Sequence, residues 1–113
     1  MKIYTGIDIT EIERFKKAYE KYKEKFLKKI FFNDELEFLK GNLLKMCISF
    51  SFKEAIWKTL PEQIQQKLLF KDIKIGWDKG NPFLLEIIEN YEIVFSYSTT
   101  EKYVVAFVLL IEP

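Results

Sequence analysis

From Lys2 to Thr10 the side chains alternate: Ile3, Thr5, Ile7 and Ile9 fall on one side, Tyr4, Gly6, Asp8 and Thr10 on the other. A period of two predicts a strand with one mostly apolar face. On the second face Gly6 lies beside Asp8 and permits close approach of a ligand or another backbone. The period then lengthens. Ile12, Phe15, Tyr19, Tyr22 and Phe26 recur at three- and four-residue steps from Glu11 to Ile30, which predicts an amphipathic helix. Asn33 reads as the N-cap of a short second helix, with Asp34 and Glu35 in its first turn and a stop near Gly41.

Leu43 to Leu60 reads as a third, longer helix. Its first half, Leu43 to Phe52, carries one charge, Lys45, so it is expected to be central and buried. Pro61 and the polar run to Gln66 end it, as a break or a short extra turn. Phe70 to Trp77 alternates as a strand, Asp78 to Pro82 is a turn, and Phe83 to Ile88 is a further strand candidate. Ile93 to Ser98 and Tyr103 to Ile111 complete the pattern. The last is nearly all apolar and is expected at the centre of a sheet. The order predicts a single α+β domain over residues 1–113: an N-terminal strand, three helices including a long buried one, then a mostly antiparallel sheet.

Composition narrows the chemistry. In 113 residues, 49% are hydrophobic and 17% aromatic, enough for one core; with eleven Phe, association is an open option. There is no His, which removes the usual neutral-pH base and the Ser-His-Asp and Cys-His schemes. One cysteine, Cys47, permits neither an internal disulfide nor a zinc site, and a cytoplasmic setting is expected. No apolar run is long enough to span a membrane, and the first residues lack a signal-peptide pattern. Between Arg14 and Lys29 eight basic residues face only Glu20 and Glu24. Arg14 is the only arginine, a residue suited to planar, bidentate pairing. Nucleic acid is a weak option for this charge, because no binding motif accompanies it.

Two carboxylates stand out. Asp8 is the only charge between Ile3 and Thr10. It either caps the following helix or serves as a hard-cation ligand. Glu54 and Lys58 are four apart, so they share a helix face, as a surface ion pair or as a group that reaches a cleft. An Asp and a Glu with substrate phosphates can hold Mg²⁺, and a lysine beside them would pair with phosphate. The hydroxyl-rich Ser96-Tyr97-Ser98-Thr99-Thr100 says little alone.

Together these stretches resemble the holo-acyl-carrier-protein synthases, the small bacterial type of the 4′-phosphopantetheinyl transferase superfamily. Gly6-Ile7-Asp8-Ile9-Thr10-Glu11-Ile12-Glu13-Arg14 is similar to the family's G-[IT]-D-[IL]-x-x-[IN]-x-R. Phe50-Ser51-Phe52-Lys53-Glu54-Ala55-Ile56-Trp57-Lys58 is similar to F-x-x-K-E-A-x-x-K. Gly80-Asn81-Pro82 fits a G-x-P turn, and Ser96-Tyr97-Ser98 with Tyr103, Ala106 and Val108 resembles the S-x-S-H-x-x-x-Y-x-x-A-x-V ending. The resemblance implies Mg²⁺-dependent transfer of phosphopantetheine from coenzyme A to a serine of apo acyl carrier protein, in fatty acid biosynthesis. Asp8 and Glu54 would hold the metal. Glu54 would accept the serine proton, directly or through a metal-bound water. Lys58, Ser98 and Thr99 would meet CoA, and Lys58 would stabilise the leaving pyrophosphate end. Arg14, Lys17 and Lys21 would meet the acidic carrier protein. A homotrimer with CoA between subunits is implied as well.

Four positions depart from that pattern. Thr99 replaces the family's histidine and brings no charge. Ser49 replaces the usual arginine ahead of F-x-x-K-E-A. Pro61-Glu62-Gln63 replaces Gly-Thr-Gly, and Phe83 to Tyr91 leaves no room for a helix usual there. Besides the active synthase, two other readings stand: a non-catalytic carrier-protein-binding homologue that has lost CoA turnover, and a Mg²⁺-dependent enzyme acting on another nucleotide-linked pyrophosphate.

Overall fold

In a computed structural model, which describes residues 1–112, the alternating N-terminal segment forms β1 (Lys2–Glu11). A helical segment follows, but Lys23, with φ of 50°, breaks it into α1 (Ile12–Tyr22) and α2 (Glu24–Ile30). The single helix expected to Ile30 is therefore two. The break turns Phe26, Leu27 and Ile30 onto the core and leaves Tyr22, expected on the apolar stripe, exposed. The next helix, α3 (Asn33–Leu39), starts one residue earlier than expected, with Phe32 as its N-cap. Asn33 does not cap it. Instead the Glu35 carboxylate accepts the Phe32 N–H at 3.0 Å, which satisfies one of the free amides of a helix start.

The expected long helix is α4 (Leu43–Thr59), capped by Asn42 Oδ1, which accepts the Lys45 N–H at 3.0 Å. Met46, Ile48, Phe52, Ala55 and Ile56 are buried on all its sides, as expected for a central helix. Past Leu60 a short α5 (Glu62–Gln65) supplies the extra turn. Phe70–Asp72 is a 3-10 turn rather than the start of a strand, and β2 is only Ile75–Asp78. Phe70 instead packs its ring against Phe50 and Trp57. β3 (Asn81–Leu84) pairs with β2 in a two-stranded sheet, so the expected turn contracts to Lys79-Gly80 and the expected strand ends at Leu84. No helix lies between β3 and β4 (Glu92–Thr99), and β5 (Tyr103–Glu112) ends the chain's main sheet.

That sheet has the order β1-β5-β4, antiparallel throughout. β5 is central, and Val104, Ala106, Val108 and Leu110 are fully buried beneath α4. The face of β1 that α4 covers is the mixed one. At Gly6 an added Cβ would overlap Thr59 Oγ1 and lie 2.6 Å from the Ala55 carbonyl oxygen. Glycine is needed here for approach of a backbone, not of a ligand. The apolar face of β1 is turned outward: Ile3, Ile7 and Ile9 are 55%, 58% and 63% exposed. Val94 and Phe107 extend this exposed face across the sheet.

Candidate active site

Asp8 enters the site because the tight contact at Gly6 presses β1 onto α4, and the strand's alternation carries position 8 to the same face. The Asp8 side chain is nearly buried and fully engaged. Ser51 Oγ donates to Oδ2 at 2.6 Å and Thr10 Oγ1 donates to the same oxygen at 2.8 Å. Lys58 Nζ donates to Oδ1 at 2.9 Å. Asp8 does not cap α1, whose N-cap is Glu11 without a side-chain bond. The capping alternative is thereby removed.

Ser51, Glu54 and Lys58 project from one side of α4 at three- and four-residue spacing, as helical geometry dictates. Glu54 is half-buried and lines a cleft of about 550 Å³ together with Asp8, Thr10, Arg14, Phe15 and Phe50. Burial pushes the Glu54 carboxyl above its ordinary value, the Asp8 charge pushes it further, and Lys58 opposes both. With Glu11 also on its lining, the cleft gathers three carboxylates, Asp8, Glu11 and Glu54, against the two cations Arg14 and Lys58. Lys58 is held more firmly protonated, first by its hydrogen bond to Asp8. It pairs with Asp8 rather than forming a helix-surface pair with Glu54.

This donor set fits a hard divalent cation. Two carboxylates with excess negative charge face an open cleft. No group of three or more His, Cys, Asp or Glu side chains is placed to ligate a metal among the described residues. Two protein oxygens with the remaining positions left to phosphate and water is the habit of Mg²⁺, not of a structural metal. Cys47 takes no part: burial, with the Asp8 charge, pushes its thiol up to about 12.

The 4′-phosphopantetheinyl transferase superfamily matches residues 4–108. A holo-[acyl-carrier-protein] synthase of Chloroherpeton thalassium is 36% identical over 117 residues, covering 96% of each chain. The chain belongs to the holo-[acyl-carrier-protein] synthases. The Aquifex aeolicus synthase is 33% identical over 89% of this chain and 92% of its own. Among solved structures, the Bacillus anthracis synthase in complex with CoA (3′,5′-ADP) superposes with a TM-score of 0.77 at 28% identity, over 96% of this chain and 97% of that one. The Helicobacter pylori synthase in complex with coenzyme A does so with 0.77 at 26% identity, over 95% and 99%.

The other positions expected of a synthase site are not all gathered into this cleft. Arg14 lines it, and Lys17 and Lys21 continue the same exposed side of α1. Ser98 and Thr99 lie on β4, across β5 from β1. Thr99 is registered through Val104 with Thr10, about two strand spacings or ~10 Å away. Ser98 points to the outer sheet face with Ile9. Within one chain neither reaches Asp8.

Sequence reasoning missed what Lys53, Glu35 and Ser49 do. The synthase motif's first lysine, Lys53, is 0% exposed and donates to both Glu35 oxygens at 2.8 and 2.9 Å. It also donates to the Lys71 carbonyl at 3.2 Å, while Glu35 accepts the Ile75 N–H at 2.9 Å. One ion pair thus joins α3, α4 and the approach to β2. A lysine inside the charge-poor helix, with an acid on a short helix before it, was the available signal. Ser49 is likewise buried and accepts Trp77 Nε1–H at 2.8 Å.

Proposed function

We propose that the Asp8–Glu54–Lys58 cleft transfers the 4′-phosphopantetheine group of coenzyme A to a serine hydroxyl of an apo acyl carrier protein, leaving adenosine 3′,5′-bisphosphate. What carries this reading is the Glu54 carboxyl, raised by burial and by Asp8 at the edge of an open cleft. It is a base of increased strength, next to a lysine that stays charged.

Asp8 and Glu54 are the residues that would hold Mg²⁺, which when bound would neutralise the pyrophosphate and polarise the transferred phosphoryl group. Glu54 accepts the serine proton as its oxygen attacks phosphorus. Lys58 stabilises the growing charge on the departing bisphosphate oxygen. Ser51 and Thr10, by holding one Asp8 oxygen, keep the other turned toward Lys58 and the cleft. Arg14, Lys17 and Lys21 meet the acidic carrier protein, and the basic charge of α1 and α2 steers its approach.

The exposed apolar face of the main sheet supports a cyclic homotrimer, since large apolar patches mark association surfaces. Association would also bring Ser98 and Thr99 to a neighbour's cleft and CoA-binding duty. Cytoplasmic residence suits the buried free thiol of Cys47.

The test is incubation with apo carrier protein, CoA and Mg²⁺, followed by intact-protein mass spectrometry. The carrier is expected to gain one phosphopantetheine, and a chelator to stop the gain. No gain across a wide range of CoA concentrations would overturn the reading. Sedimentation of the wild-type chain as a monomer would overturn the trimer.

A further inference from the structure

The fold closes off one oxygen of Asp8. Oδ2 accepts two hydroxyl protons, from Ser51 at 2.6 Å and from Thr10 at 2.8 Å. The two hydroxyl oxygens lie 3.1 Å apart, but each carries a single proton and Oδ2 brings none, so both protons turn to the carboxylate. A carboxylate oxygen has two lone pairs, and at Oδ2 both are taken. Oδ1 faces the other way, toward Lys58 Nζ at 2.9 Å, on a side chain that is 55% exposed. Ser51 is 0% exposed and lies behind the cleft wall rather than on it, so it touches neither substrate nor ion. A hydroxyl in a helix can donate to the carbonyl four residues back, as Thr59 does to Ala55 at 2.6 Å. Ser51, on the same helix, donates across to β1 instead. It reaches Asp8 because α4 and β1 run past each other in step. Ala55 and Thr59 meet Gly6, and Ser51, one turn before Ala55, meets the next residue on that strand face.

We infer that Ser51 and Thr10 are positioning residues that make Asp8 a one-oxygen ligand, and so bias the cleft toward Mg²⁺ and against Ca²⁺. This rests on the reading above that puts a divalent cation at Asp8 and Glu54, and it says how this chain chooses that cation. Ca²⁺ accepts roughly six to eight oxygens in a flexible shell and readily takes both from one carboxylate, whereas Mg²⁺ demands about six in a tight octahedron. For Asp8 to chelate an ion with both oxygens, Oδ2 would have to turn toward it and break two hydrogen bonds. Asp8 is 8% and Ser51 0% exposed, so water cannot replace those bonds. The Ser51 hydroxyl would be left buried and unpaired, which is costly. A cation that needs only Oδ1 leaves both hydroxyl bonds intact.

The experiment follows bound Mn²⁺ by its electron paramagnetic resonance signal, with CoA present and protein-free CoA as the blank, and displaces it with Mg²⁺ or Ca²⁺. Wild type is compared with Ser51→Ala, Thr10→Val and Thr10→Ser. Val matches Thr in shape and suits a strand, and Ser keeps the hydroxyl. In wild type Mg²⁺ is expected to displace Mn²⁺ at a lower concentration than Ca²⁺. In Ser51→Ala and Thr10→Val the ratio of the two displacing concentrations is expected to move toward Ca²⁺ by roughly tenfold, one decade of affinity. Thr10→Ser is expected to keep the wild-type ratio. A purely structural role would weaken both ions together and leave the ratio where it was. A wild-type preference for Ca²⁺, an unchanged ratio in Ser51→Ala and Thr10→Val, or the same shift in Thr10→Ser would each overturn the inference. If Ser51→Ala does not fold, the two Thr10 variants carry the comparison. Wild-type Mn²⁺ binding no tighter than that of Asp8→Asn would overturn the cation site itself, and this inference with it. Failure of wild type to transfer phosphopantetheine, with the ion shifts as expected, would overturn the transferase reading alone.

Discussion

Lys58 Nζ lies 2.9 Å from Asp8 Oδ1, fifty residues away in sequence, although Glu54 is only one helical turn from it. The lysine thereby bridges β1 and α4 across the rim of the cleft. It leaves the Glu54 carboxylate free of an ion pair, half-buried, and raised by the neighbouring Asp8 charge. The same relationship sets the expected behaviour of both acids.

Asp8→Asn is expected to lower transfer by at least about a hundredfold, the scale lost when one preorganised electrostatic group is removed from an active site. Asp8→Ala additionally leaves the Ser51 and Thr10 hydroxyls without their acceptor, at a cost of about 1–3 kcal/mol. Turnover assays and urea denaturation of the two variants separate the effects: Asn should fold nearly as wild type, Ala less stably.

Glu54→Gln is expected to abolish transfer and raise the melting temperature at neutral pH. A carboxyl raised in the folded state binds its proton more tightly there than in the unfolded chain. Stability from this group is therefore largest below its ordinary pKa and is lost as pH rises through the raised value. Gln removes that loss. Transfer by wild type should fall in acid as Glu54 takes up its proton, at a pH above that of an ordinary carboxylate. A melting temperature of Glu54→Gln equal to or below wild type at neutral pH would contradict this assignment.

Lys53→Met is expected to destabilise the fold by about 3–5 kcal/mol, because it leaves the Glu35 charge buried without its partner. Urea denaturation measures this. The buried lysine titrates lower than usual, chiefly through desolvation, with Glu35 opposing. The loss should far exceed that of Lys74→Met, whose partners Asp34 and Glu86 are solvent-exposed.

Gly6→Ala is expected to cost about 1–3 kcal/mol by overpacking against Ala55 and Thr59. It should also reduce transfer, since β1 must move away from α4 and carry Asp8 with it. Thermal melts and turnover together check this; loss of stability with full activity would show that Asp8 is positioned independently of Gly6.

Arg14→Ala and Lys17→Ala, Lys21→Ala are expected to raise the KM for carrier protein several-fold, with increasing salt producing a similar rise in wild type. Steady-state assays at varied carrier and CoA concentrations distinguish this from an effect on CoA. An equal rise in the CoA KM would assign Arg14, at the cleft edge, to the nucleotide substrate instead.

The candidate site could be singled out from the chain because its residues are unusual within their own segments and fall in runs that resemble the synthase motifs. Asp8 is isolated in an alternating strand, and Glu54 and Lys58 share a helix face. Local pattern could not show that Lys58 would choose Asp8, since that choice depends on how closely β1 approaches α4. Nor could it show the role of Lys53, whose partner comes from another helix. The apolar side of β1 misleads for a similar reason. Alternation shows that the two sides differ, but which side is covered depends on where a helix can pack, and Gly6 admits α4 on the mixed side.

The sequence by itself determined the α+β order of elements, the long buried helix and the central apolar strand, because these follow from periodicity within single segments; Asp8 and Glu54 owe their proposed roles to the resemblance of their motifs to those of the synthases. Tertiary structure alone decided the break at Lys23, the outward Ile3, Ile7 and Ile9, the Lys53–Glu35 pair and the separation of Ser98 and Thr99 from Asp8. Each of those depends on contacts between segments distant in sequence, whose energies are fixed by packing distance and burial rather than by local pattern.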